Sequence, residues 1–351
     1  MNETNLTPRQ NAMLGIINRS QGLSQSEIRD LIQDTYRASK PTIIRDLGLL
    51  LKQNVIYVTG KGKNTRYLSK ETNRLLRFID PQHYFLREPD EREDAGRQFD
   101  NGIFAHLHNL FTPAEQATIH SISKSFSAQT QQLSHDIVQK ELERFVIELS
   151  WKSSKIEGNT YSLLETERLI KESQKTPGKT TEEAVMILNH KKAFEQIVEH
   201  RDNFRVLSVS TINQLHNFLV RDMPVEPGIR KQAVGITGTV YVPPDNEYQL
   251  REAMERLLRV INESSLAFEK ALVAFVMIPY IQPYADGNKR TARMTANAIL
   301  LAHDRYPLSY RSIDEEEYKK ALILFYEQES LVEAKRLFLE QLRFAYTTYF
   351  R

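Results

Sequence analysis

Residues 278–294, IPYIQPYADGNKRTARM, decide how this chain is read. An apolar helix over 271–280 ends at a Pro-containing loop, and Asp286, Gly287 and Asn288 then lead into a second helix. That helix carries Arg290 and Arg293 three residues apart, on one face. A glycine turn opening a helix points backbone N–H groups at one spot, where the helix dipole also favours an anion. Two guanidinium groups on the first turns add forked donors suited to phosphate oxygens. The carboxylate of Asp286 beside them can hold a divalent cation bridging those oxygens. These parts make a polyphosphate site with a metal; the plainer alternative is a helix start with solvated arginines.

Outward from this loop, helical periodicity dominates. Leu142, Phe145, Val146, Leu149 and Ile156 follow three- and four-residue steps, as do Leu331, Ala334, Phe338, Leu342 and Ala345. Strand patterns are few: 55–58 with 65–68, and 232–236 with 239–242, each pair bracketing a Gly-containing turn. Residues 87–100, REPDEREDAGRQFD, are almost free of large apolar side chains and read as an exposed linker. The chain of 351 residues is long enough for about two domains. Its formal net charge is only +2, so a charged partner must be argued from local clustering. With no Cys it has no disulfide, thiol nucleophile or Cys-ligated metal, which fits a reducing compartment. The N-terminal MNETNLTPRQ lacks a basic-then-apolar signal, and the longest apolar run, 271–281, is too short to span a bilayer. The expected location is cytoplasmic, without membrane contact.

Residues 7–19, 24–34 and 39–53 read as three short helices sharing a core of Met13, Ile16, Ile17, Ile28, Leu31, Ile32, Ile44, Leu47 and Leu51. Thr7-Pro8 is a good helix start, and Ser24 with Glu27 forms a capping box. Three helices followed by a hairpin resemble a winged-helix domain over 1–72. The third helix would then enter the major groove of duplex DNA, presenting Lys40, Thr42 and Arg45, with Lys61, Lys63 and Arg66 at the hairpin turn. Between positions 36 and 70 eight basic residues face one acid, Asp46, a net of +7. Such a cluster would take its affinity from phosphates. The alternative is a winged helix used for protein contacts or homodimerisation.

The central loop, read as Gln282, Pro283, Tyr284, Ala285, Asp286, Gly287, Asn288, Lys289, Arg290 and Arg293, resembles the H-P-F-x-D/E-G-N-G-R-x-x-R motif of the Fic proteins. Two more segments match in order. Pro227-Gly228-Ile229-Arg230 with the following hairpin and Pro243-Pro244 is similar to the family's P-G-x-x-R element and target-binding flap. Ser153-x-x-x-Glu157-Gly158-Asn159 is similar to the motif of its inhibitory helix. The resemblance implies a mainly α protein: a winged-helix domain, a connecting segment over 73–105, and an all-helical Fic domain over 106–351 with a small β-hairpin flap. It places the inhibitory helix at about 136–158, the flap at 232–244 and the loop at 282–293.

By the same resemblance the chemistry is transfer of AMP from ATP to a hydroxyl of a target protein. Asp286 would hold Mg²⁺, Asn288 and the loop amides from Gly287 onward would grip the α-phosphate, and Arg290 and Arg293 would bind the outer phosphates. Ile236, Thr237, Gly238, Thr239 and Val240 would align a target segment by strand addition. Ser153, Glu157 and Gly158 would form the inhibitory element, with Glu157 paired to Arg293. The sequence departs from the family at three positions. Gln282 stands where the family has the His that takes the hydroxyl proton, and an amide cannot take up a proton near neutral pH. Lys289 replaces Gly, as in the Doc branch, which transfers the γ-phosphate; Tyr284 replaces Phe and keeps the aromatic anchor. His216, in an apolar helix, reads as structural. Three functions stay open: a weak or inactive AMP transferase, a nucleotide- or protein-sensing transcriptional regulator built on an inactive Fic module, and a Doc-like kinase.

Overall fold

The computed structural model describes residues 6–350 except 19, 21, 34, 72, 93, 94, 124 and 125. The chain opens with α1 (Pro8–Asn18), α2 (Gln25–Ile32) and α3 (Lys40–Lys52), followed by β1 (Ile56–Thr59) and β2 (Arg66–Ser69). The two strands pair antiparallel with Ile56 opposite Ser69, and Leu23 bridges the outer side of Tyr67. The capping box at Ser24 is formed, its hydroxyl accepting from Glu27 N–H while the Glu27 carboxylate accepts from Ser24 N–H. The core of this unit differs from expectation by one helical phase. Ile43, Leu47 and Leu50 are buried, whereas Leu31 and Ile44 are 54% and 51% exposed and Leu51 is exposed too. The run IIRDLGLLL offers two apolar faces, and only packing against α1 and α2 chooses between them.

The remaining helices are α4 (Pro81–Tyr84), α5 (Pro113–Ile122), α6 (Phe126–Thr130), α7 (His135–Ile156), α8 (Leu163–Glu172), α9 (Thr181–Glu199), α10 (Val209–Val220), α11 (Glu247–Glu263), α12 (Ala267–Ile281), α13 (Asn288–Ala302), α14 (Glu315–Gln328) and α15 (Val332–Thr348). Helix α12 is buried on every side, which matches its unbroken apolar sequence, and α13 packs along it. No described helix is long and apolar enough to cross a membrane.

Two expectations are corrected here. The expected linker over 87–100 is exposed at most of its described positions, but Arg92 and Ala95 in it are buried, and on either side of it Leu75, Ile103 and Phe104 belong to the main core. Residues 80–92 and 95–100 form a strap held down by Arg92, whose guanidinium is buried against the Glu327 carboxylate at 3.2 Å. Polar composition marked it as exposed, but a paired charge can be buried. The flap, in turn, contains no paired strands among the described residues. Arg230 spans its base, Nη1 donating to Gln232 O and Nη2 to Pro244 O, each at 2.5 Å. The outgoing limb pairs with the strap instead, Val242 N–H donating to Arg97 O at 3.0 Å beside a parallel bridge to Gln98.

Candidate active site

The loop between α12 and α13 is fixed by its own side chains. Gln282 caps α12 in the left-handed conformation (φ 51°, ψ 57°). Its amide Nε2 donates to Pro279 O at 2.8 Å, and its Oε1 accepts from Asn288 Nδ2 at 2.7 Å. Asn288 also donates to Tyr284 O and accepts from Tyr284 N–H. Tyr284 is fully buried, stacks on His216 at 3.7 Å, and donates its hydroxyl to Asn213 Oδ1. Burial pushes the His216 pKa down to about 4, so the neutral ring donates from Nε2 to Asp286 O at 3.0 Å. This is the structural role expected of it. From outside, Arg230 Nε donates to Gln282 O at 2.7 Å and the Arg230 backbone N–H donates to Pro283 O at 2.9 Å.

Gly287 sits at φ +81° as the N-cap of α13; a Cβ there would meet Arg290 Nη2 and Val220 Cγ1 at 3.3 Å. The N–H groups of Gly287, Asn288 and Lys289 have no partner among the described residues, and all three residues line the cleft at a helix N-terminus, where an anion is favoured. The cleft holds about 600 Å³ and is walled by Glu157, Gly158, Ile236, Thr237, Gly238, Gln282, Asp286 and Lys289, with Lys319, Leu322 and Tyr326 of α14 opposite.

The two loop arginines are both buried and are captured by different neighbours. Arg290 turns away and is buried against the end of α10, donating to Leu219 O at 3.3 Å and to Asp286 Oδ2 at 3.0 Å. In this arrangement it braces the loop. Asp286 keeps its carboxylate two-thirds exposed at the cleft rim. Thr239 and Val240 do not line the cleft; both bond Glu327.

Arg293 has no exposed surface, and each of its nitrogens is engaged. Nε donates to Ser153 Oγ at 2.9 Å, Nη1 to the Tyr318 hydroxyl at 3.0 Å, and Nη2 to Ser153 O at 2.9 Å and Glu157 Oε1 at 2.8 Å. Glu157 is the C-cap of α7, and Gly158 at φ +94° turns the chain away behind it. The second oxygen of Glu157 lies 3.0 Å from Lys289 Nζ. Burial opposes ionisation of Glu157, but Arg293 and Lys289 overcome it and hold its pKa down at about 2. Behind Ser153 stands His190, neutral because burial lowers its pKa to about 3. Its Nδ1 donates to Met186 O, so Nε2 accepts the Ser153 hydroxyl proton at 2.8 Å. One carboxylate thus ties together two cations, Arg293 and Lys289.

Residues 206–300 match the profile of the Fic/DOC family. The α10–α13 segment around the cleft is thus where the chain is similar to that family. The protein adenylyltransferase Fic of Nematostella vectensis is 28% identical over 180 residues, covering 49% of this chain and 41% of that protein. The protein adenylyltransferase fic-1 of Caenorhabditis briggsae is 29% identical over 157 residues, covering 42% and 30%. The chain therefore spans less than half the length of these relatives. In fold it is similar to Fic-1 of C. elegans (TM-score 0.61, 17% identity, 92% of this chain and 91% of that one). A Fic domain containing signalling protein of Bacteroides thetaiotaomicron is similar too (TM-score 0.56, 18% identity, 66% and 94%).

Within the Fic domain the ordered motifs lie together around one cleft, and the sequence pointed to most of its walls. It missed His190, Tyr318 and Glu327, which no local motif marks. In the N-terminal unit, Lys40 at the start of α3 and Lys63 in the hairpin turn line a polar hollow of about 510 Å³ with Ser24, Gln25, Ser26 and Arg29. Arg45 and Lys61 are exposed nearby in sequence, Thr42 bonds Ser39, and Arg66 lies in β2.

Proposed function

We propose that the Fic domain of this chain binds ATP through its phosphates, is held closed by Glu157, and transfers AMP to a protein hydroxyl weakly or not at all. The observation that carries this reading is the Glu157 clamp on Arg293 and Lys289 beside the open N–H groups of the α13 start. In the transfer, the acceptor oxygen bonds the α-phosphorus, the bond to the pyrophosphate oxygen breaks, and pyrophosphate leaves with the electron pair. The hydroxyl proton would need a base. Gln282 cannot serve, and both ends of its amide are occupied within the loop. Among the described residues no group of three or more His, Asp or Glu could cage a metal. One carboxylate suffices for Mg²⁺ held mainly by phosphates, so Asp286 fits that role. When bound, Mg²⁺ would supply charge neutralisation of the phosphates.

Incubation with α- or γ-labelled ATP separates the readings. Label from the α position, stronger in Glu157→Gly, supports AMP transfer. Label from the γ position supports the Doc-like kinase, to which only Lys289 points. ATP binding without label supports a sensing module.

That sensing role, with duplex DNA as its output, is the second reading, favoured by the hollow where Lys40, Lys63 and Arg29 meet the N-terminus of α2. Homodimerisation on two half-sites would accompany it. In the full-length chain, replacing Lys61, Lys63 and Arg66 with Ala should weaken binding on all sequences and flatten the salt slope by up to about 0.9 per lost phosphate contact. Absence of binding at low salt would reject it.

A further inference from the structure

Glu327 of α14 is a buried carboxylate that nucleotide binding does not use. Its side chain is fully enclosed. Oε1 accepts from the Thr239 hydroxyl at 2.6 Å and from Val240 N–H at 3.3 Å, while Oε2 accepts from the Tyr84 hydroxyl at 2.5 Å. Arg92 Nη1 reaches both oxygens at 3.2 Å. A carboxylate enclosed in this way depends on a complete set of donors, since each lost donor leaves charge uncompensated.

Those donors come from two separate pieces of chain. Thr239 and Val240 belong to the flap; Tyr84 and Arg92 belong to the strap. Arg92 Nη1 also donates to Gly238 O at the flap's tip, at 3.3 Å. Below them, Gly96 N–H donates to the Glu327 carbonyl at 2.6 Å, and a Cβ at position 96 would meet that oxygen at 2.9 Å. The outgoing limb of the flap is thus bonded throughout. Its incoming limb, residues 233–237, makes no hydrogen bond among the described residues, and Val234, Gly235, Ile236 and Thr237 line the cleft. The strap is in turn attached to the N-terminal unit. The Tyr36 hydroxyl donates to Asp80 Oδ2 at 3.2 Å, and Asp80 caps α4, which ends at Tyr84.

We propose that Glu327 is the positioning residue of the flap, and that the strap, tied to the N-terminal unit, sets the flap through it. The inference rests on the proposed function only in taking the flap as the acceptor-side wall of the cleft. Contacts run without a gap from Tyr36 through Asp80, α4 and Glu327 to Thr239, so a displacement of the N-terminal unit reaches the flap through bonds that must break or move.

Amide hydrogen exchange on the full-length protein tests this without requiring transfer activity. Thr239→Val removes the flap-side hydroxyl and Tyr84→Phe the strap-side one; each should raise exchange at 238–242 by about tenfold while α12 and α13 stay unchanged. Thr239→Ser, which keeps the donor, should restore the wild-type rate. The double variant should fall short of the product of the two effects, because both act on one carboxylate. Unchanged exchange at 238–242 in Tyr84→Phe would overturn the strap's role. A rise spread evenly over α12 and α13 would reduce Glu327 to a general stability contact and overturn the proposal. Calorimetry with ATP on the same variants is a separate readout: loss of binding in every protein would defeat the nucleotide reading and leave the flap result standing.

Discussion

The two ends of the cleft are held by opposite chemistry. At the phosphate end, Glu157, Arg293 and Lys289 form a charged knot in which one anion holds two cations. At the acceptor end, Gln282, Asn288 and Pro279 form a neutral knot of amide hydrogen bonds. On the proposed reading the charged knot is reversible, because an incoming phosphate would offer the same cations another anion. The neutral knot is complete as it stands, and breaking it yields no group that can take a proton. On the proposed reading, the difference means that the cleft keeps a means of binding phosphate and has no group at position 282 that could deprotonate an acceptor.

The largest expected effect attacks the neutral end. Gln282→His combined with Glu157→Gly should raise self-labelling by roughly 10²–10⁴-fold over Glu157→Gly alone, the range for general-base assistance. If that double variant stays silent until Lys289→Gly is added, the lysine also obstructs the phosphates. Wild-type labelling equal to the repaired protein would break the comparison, since a base would then exist elsewhere.

A smaller effect, distinguished by its sign, concerns Lys289. With Glu157 present, Lys289→Met should leave ATP affinity unchanged or raise it, because one strand of the knot is cut. In Glu157→Gly the same change should weaken ATP binding about fivefold to tenfold, up to about 1.4 kcal/mol. Equal effects in both backgrounds would show that the amine serves only one of the two roles.

The smallest effect is in pH dependence. The pKa of Glu157 is lowered from an ordinary 4.5 to about 2, so its contribution to stability is fully present above 4.5 and lost as pH falls through 2. Thermal unfolding followed from pH 7 to pH 2 should show an acid-side loss that is reduced in Glu157→Gln. Identical acid limbs would mean that the carboxylate is not clamped in solution.

What the sequence made legible were features with local spacing. The α12–loop–α13 motif, the Ser153–Glu157 pair on one helical face and the three N-terminal helices could each be read within about a dozen residues. What it concealed were choices made by tertiary packing. The buried face of α3 was ambiguous because six aliphatics crowd one helix. Arg290 and Arg293 looked equivalent at their spacing, yet α10 captures one and α7 the other. Residues 87–100 read as an exposed linker throughout because the burial of Arg92 depends on Glu327, more than 230 residues away in the chain. The flap read as a hairpin because Gly238 makes the turn, while the pairing went to the strap.

The account's central claim is that Glu157 holds back cations that would otherwise bind phosphate. Calorimetric titration with ATP of the wild type and of Glu157→Gly tests it most directly. The expected result is binding tightened about tenfold or more in the variant, about 1.4 kcal/mol per decade. Equal affinities in the two proteins would contradict it.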